Sequence, residues 1–114
     1  MIRRKSDMKA EIRPQMRGGN GEISITHIID GGDLPHGRLL AEVTIPPGAG
    51  IGEHPHEHET EYYIILQGKG LVRDNGKEEE VCAGETVVTP HGSKHSIENA
   101  GSDPLKMIAL IITD

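Results

Sequence analysis

Three imidazoles and a carboxylate stand at spacings that would let them share one metal ion. The first cluster runs Gly48, His54, Pro55, His56, Glu61, Gly68, with five residues between Gly48 and His54, four between His56 and Glu61, and six between Glu61 and Gly68. The second runs Gly84, Pro90, His91, Gly92, His95, Asn99, with five residues between Gly84 and Pro90, two between Gly92 and His95, and three between His95 and Asn99. A set of three histidines and one carboxylate suits Mn, Fe, Co, Ni, Cu or Zn, and donor type does not choose among them. An ion with open positions brings Lewis-acid or redox chemistry that the other side chains lack.

These donors need elements to position them. His54 and His56, two residues apart, share a face if the backbone is extended. Glu61 follows a polar stretch, Glu57-His58-Glu59-Thr60, that is able to loop back. His95 enters from a separate strand after Pro90 and Gly92, whose turn chemistry sets where that strand starts. Alternation then turns Tyr63 and Ile65 inward with Glu61, and Ile97 and Asn99 inward with His95. Tyr63 is therefore the candidate for a phenol beside the ion, as hydrogen-bond donor or acid/base, or else an aromatic that fills the interior. The inward apolar residues make a mostly apolar pocket with few polar groups, the usual form of a small-ligand site.

Other chemistry-bearing residues are expected to be bystanders. His58 and His91 are not expected as metal ligands, although His58 has the same two-residue spacing from His56 and could substitute in a shifted loop. His27 and His36 are expected to be ordinary surface or core histidines. Cys82 is expected to be a small buried apolar residue, and Asn99 a strand-end hydrogen-bonder. Gly48, Gly68, Gly84 and Gly92 are expected where a side chain would obstruct a turn.

The rest of the chain reads as short strands. Apolar, β-branched runs at 23–29, 39–45, 62–66, 70–73, 80–82, 85–89, 95–99 and 105–113 are separated by Gly, Pro and Asn-Gly signals, and no segment carries a helical stripe. The expected class is all-β, a sandwich or barrel. The 114 residues suit one domain, 21–114, preceded by an irregular polar stretch, 1–20, that forms an arm or an edge strand. In the last strand both parities are apolar after Lys106, so one face lines the interior and the other needs a second sheet or a second subunit as cover.

Composition narrows the partners. The net charge of −6 argues against nucleic acid. The basic residues gather at Arg3, Arg4, Lys5, Lys9, Arg13 and Arg17, read as a solvated arm. Two tyrosines and no Trp or Phe argue against a stacking platform. No apolar run approaches the roughly 18 residues of a membrane span, and Met1 to Asp7 leads into no apolar signal segment. With a single cysteine and no sign of an oxidising compartment, a cytoplasmic protein is expected.

The two clusters resemble the cupin superfamily. Its motifs, G-x5-H-x-H-x(3,4)-E-x6-G and G-x5-P-x-G-x2-H-x3-N, match at every defined position, and the stretch between them, Lys69 to Ala83, has the short length of compact single-domain members. The resemblance implies a double-stranded β-helix (jelly-roll) barrel, usually dimeric, with His54, His56, Glu61 and His95 as metal ligands. More narrowly, the chain resembles small oxalate-decarboxylase-like monocupins. It departs from the two-domain decarboxylases in having one such domain and no recognisable lid carboxylate. A metal-dependent enzyme on a small anionic or polyoxygenated ligand is expected: a carboxylate, keto or hydroxy acid, or sugar acid, by decarboxylase, isomerase, lyase or dioxygenase chemistry. A non-catalytic binding or sensing module is the alternative. A phosphorylated sugar is less attractive, because few basic residues lie within the motif region.

Overall fold

A computed structural model describes all residues, 1–114, and shows ten strands in two antiparallel sheets. In chain order they are β1 (Lys9–Pro14), β2 (Glu22–Ile29), β3 (Gly37–Ile45), β4 (Gly50–Pro55), β5 (Glu59–Gln67), β6 (Lys69–Asp74), β7 (Lys77–Cys82), β8 (Thr86–Thr89), β9 (Lys94–Asn99) and β10 (Leu105–Thr113). Helix is confined to three single 3-10 turns, at Lys5–Asp7, Met16–Gly18 and Gly31–Asp33. One sheet has the order β1-β2-β3-β10-β5-β8 and the other β4-β9-β6-β7. Consecutive strands repeatedly change sheet, which is the jelly-roll arrangement expected from the motifs.

The alternation seen in the sequence holds through the interior. Glu61, Tyr63 and Ile65 are buried while Ile64 is exposed, and His95, Ile97 and Asn99 are buried together. In β10 the odd residues Leu105, Met107, Ala109 and Ile111 are buried against the second sheet. Ile108, Leu110 and Ile112 lie half-buried on the outer face, beside the exposed Ile64 and Val88 of neighbouring strands. The Asn-Gly signal closes the β6–β7 hairpin with Asn75 at φ 51° and Gly76 at φ 86°, the pair of positive φ values a two-residue turn of this hand requires. Gly48, Gly68, Gly84 and Gly92 all have φ between 81° and 92°.

One local reading changes, at Cys82, and two others resolve. Residues 9–14 form β1, hydrogen-bonded to β2 of the same chain from Lys9↔His27 to Pro14↔Glu22. Cys82 is exposed, because it ends the outer strand β7, in which only Val81 is partly buried. Asn99 is the strand-end hydrogen-bonder: its Nδ2 donates to the Ile45 carbonyl at 2.9 Å and the Asp103 carbonyl at 2.8 Å, while Oδ1 accepts from Gly101 N at 2.9 Å.

Candidate metal centre

His54 reaches the interior through an irregularity that periodicity does not show. Ile51 pairs with Ile97 and His54 pairs with His95, so β4 uses three steps where β9 uses two. Simple alternation from the buried Ile51 would have pointed His54 outward. The extra residue, a β-bulge at Gly52-Glu53, reverses the parity and brings His54 in opposite His95. His56 lies just past the end of β4, fixed by two backbone bonds. Its N–H donates to Ser93 O at 3.0 Å, and Gly92 N donates to its carbonyl at 2.9 Å. Glu61 comes from β5 in the opposite sheet, so the cluster joins the two layers.

The four donor atoms converge. Nε2 of His95 is 3.0 Å from Nε2 of His54 and 3.0 Å from Nε2 of His56. Glu61 Oε1 is 2.9 Å from His56 Nε2, 3.0 Å from His95 Nε2 and 3.7 Å from His54 Nε2. All four residues are at most 6% exposed.

The outward ring nitrogens explain which way the rings face. His54 Nδ1 lies 2.8 Å from the Gly52 carbonyl, which can only accept, so this nitrogen carries the proton and Nε2 presents a lone pair inward. His56 Nδ1 donates in the same way to Glu59 Oε2. Glu59 is itself held by Arg38, through Nε to Oε1 at 2.6 Å and Nη2 to Oε2 at 2.8 Å. That bidentate pair, with His56 assisting, keeps Glu59 ionised below the usual carboxylate range. His95 Nδ1 meets the fully buried Thr89 hydroxyl at 2.7 Å.

Such an interior is costly without a cation. Glu61 Oε1 is buried with no hydrogen-bond partner, although two imidazole nitrogens lie within 3.0 Å of it. Burial pushes its pKa up, but His54, His95 and His56 outweigh that and hold it at about 2, so it stays a carboxylate. Burial also lowers the pKa of His95, favouring the neutral ring. The inward lone pairs of His54 and His56 and a buried carboxylate oxygen stand around one point with no water to satisfy them. A divalent ion held by His54, His56, Glu61 and His95 would remove that conflict by taking up the inward lone pairs and the carboxylate charge. The donor set therefore fits a transition metal.

Tyr63 packs its ring on His95, with centroids 4.9 Å apart and planes 13° from parallel. Burial and the Glu61 charge push its pKa well above 10, so it remains a neutral phenol. It lines a cavity of about 260 Å³ whose floor includes His54, His56 and Glu61. The walls are Ile25, Leu39, Val43, Ala109 and Ile111, with Arg13, Arg17, Arg38 and His27 among the lining residues. A larger cleft of about 390 Å³ along β4 and β9 contains none of the four donors.

The basic residues correct the sequence reading. Arg13 and Arg17 were expected in a solvated arm, yet both line the cavity, Arg13 from β1 paired with β2 and Arg17 from the turn that follows. His27 also lies there, with Nε2 2.7 Å from Glu11. Glu59 had appeared only as part of a polar loop, and its placement two residues before Glu61 on the same strand face was the available signal. His58 and His91 stand apart from the donors and stack on each other, with centroids 4.8 Å apart.

The family model for the Cupin domain matches residues 41–111. An oxalate-binding protein of Thermotoga maritima is 41% identical over 113 residues, covering 98% of this chain and 93% of that one. A solved structure from Thermotoga maritima, described as a predicted oxalate decarboxylase, is 40% identical with a TM-score of 0.93 over 100% of both chains. A mannose-1-phosphate guanylyltransferase of Klebsiella pneumoniae is 34% identical over 68 residues, covering 60% of this chain and 14% of that much longer protein.

Proposed function

The chain belongs to the cupin family, and on that premise we propose that it is a metal-dependent protein that captures a small carboxylate. Oxalate, or a keto or hydroxy acid of similar size, is the ligand class. The observation that carries this reading is the buried, ionised Glu61 oxygen without a hydrogen-bond partner among three imidazoles, at the floor of a cavity with apolar walls and basic lining residues. His54, His56, Glu61 and His95 would hold the ion. When bound, the ion supplies Lewis-acid positions for one or two ligand oxygens. The apolar walls exclude water and so strengthen polar contacts inside. The name of the Thermotoga maritima oxalate-binding protein supports the ligand class.

Capture is better supported than turnover, because the carboxylates that flank the cavity's basic residues are already engaged. Glu59 is shared by Arg38 and His56, and Glu11 by Arg13 and His27. A metal-dependent enzyme is the second reading, and Tyr63 is what favours it. Its buried phenol beside Glu61 stays protonated, and its O–H could donate to a ligand oxygen that gains charge.

Elemental analysis and calorimetric titration with oxalate test both readings. The wild-type protein should carry about one transition-metal ion per chain and bind oxalate saturably only when loaded. The His54→Ala, His95→Ala double variant should do neither, and retention of both properties would overturn the site. Formation of formate and carbon dioxide from oxalate would move the assignment to the enzyme.

A further inference from the structure

Two of the three guanidiniums that line the cavity are already neutralised. Arg38 is spent on Glu59, and Arg13 contacts Glu11. Arg17 makes no ion pair with any carboxylate of the chain. It is exposed, yet it lines the same cavity as Tyr63, His54, His56 and Glu61.

The backbone that carries Arg17 is fastened in place. Arg17 adopts φ 54°, ψ 29°, a left-handed conformation that non-glycine residues seldom hold unless the surroundings enforce it. The enforcement comes from β4. A Cβ on Gly52 would lie 2.0 Å from the Arg17 carbonyl oxygen, and one on Gly19 would lie 2.2 Å from the Gly50 carbonyl oxygen. Gly50 N also donates to Asn20 O at 3.0 Å. Backbone thus lies directly on backbone, and the turn that presents Arg17 is docked to the strand that presents His54.

We propose that Arg17 is a specificity-determining residue that takes the second carboxylate of a small dicarboxylate whose first carboxylate goes to the ion. An unpaired guanidinium at the edge of a partly enclosed cavity gains most from a planar oxyanion, which its fork of N–H donors matches. The site then prefers a dianion to a monoanion of the same shape. The proposal rests on the reading that the cavity holds a small carboxylate.

The test compares oxalate with oxamate, its near-isostere of one less charge, by calorimetric titration of metal-loaded protein. Arg17→Gln should raise the oxalate Kd roughly fivefold or more and the oxamate Kd less than about twofold. Arg17→Lys should recover part of the oxalate affinity. Unchanged metal content and circular dichroism in both variants would show that fold and centre persist. Equal oxalate affinity in wild type and Arg17→Gln overturns the role of Arg17 and leaves the carboxylate reading intact. Wild-type protein that carries metal but binds neither probe overturns the carboxylate reading and the role of Arg17 with it. A variant that loses metal shows instead that Arg17 supports β4 structurally, which also overturns the proposal.

Discussion

The two ends of the barrel are built from the same strands and serve opposite purposes. At one end Ile23, Ile45, Ile65, Ile97, Leu105 and Met107 are at most 1% exposed and contribute no polar side-chain atom. At the other, the same β5 and β9 contribute Glu61 and His95, with His54, His56, Glu59 and Thr89 buried around them. Ile97 and His95 are two residues apart on one face of one strand. Burial stabilises at the first end, whereas at the second it holds polar groups in a conflict that a cation resolves. The apolar end secures a frame rigid enough for the polar end to stay assembled.

Paired substitutions on β9 give the largest separation between the ends. Ile97→Ala should destabilise the fold by about 2–5 kcal/mol through lost burial and a residual cavity, with bound metal unchanged in the folded protein. His95→Ala should abolish stoichiometric metal while costing the metal-free fold much less than Ile97→Ala. Chemical denaturation combined with elemental analysis reads both, and metal loss in Ile97→Ala alone would show the ends to be one unit.

A smaller effect is expected one layer out from the donors. Glu59→Gln removes the anion that orients His56 and pairs Arg38, and should weaken metal binding by about 10–100-fold. A competition titration with a chelator measures it. An unchanged metal affinity would mean that His56 is positioned by its backbone bonds to the 92–93 turn alone.

The smallest effect is graded with pH, and its sign follows from the two shifts. In the metal-free protein Glu61 titrates at about 2 when folded against 4.5 as its ordinary value, and His95 below its ordinary 6.5. Both groups bind protons less readily when folded. The contribution of His95 is full above about pH 6.5 and is lost as pH falls below it. That of Glu61 is full above about pH 4.5 and is lost as pH falls towards 2. The denaturation midpoint should therefore decline on acidification, and the loaded protein should release its ion as protons compete for the imidazoles. A midpoint that rises as pH falls from about 7 to 4.5 would contradict the lowered pKa of His95, and one that rises from about 4.5 towards 2 would contradict the buried, ionised Glu61.

Much of the fold and the donor set was legible in the chain. Turn residues and two-residue alternation are local signals, so the all-β class, the Asn75-Gly76 hairpin and the inward parity of Glu61, Tyr63, His95 and Ile97 could be read without coordinates. The spacing of the two clusters likewise carried His54, His56, Glu61 and His95. Less visible was the bulge at Gly52-Glu53, because an extra residue in β4 exists only relative to its partner β9. Cys82 was misjudged for a similar reason: edge position belongs to the sheet, and its neighbours in sequence do not encode it.

Residue types and spacing were enough to name four donors and a barrel. Tertiary structure alone decided the chemistry of the space above them. Arg13 and Arg17 stand far from the motifs in sequence and reach the cavity because β1 pairs with β2 and the following turn lies on glycines of β4. Arg38 is withdrawn from ligand binding because Glu59, 21 residues away, claims it. Local patterns record which residues face inward. Which charges remain unpaired there depends on partners that only long-range strand pairing brings together.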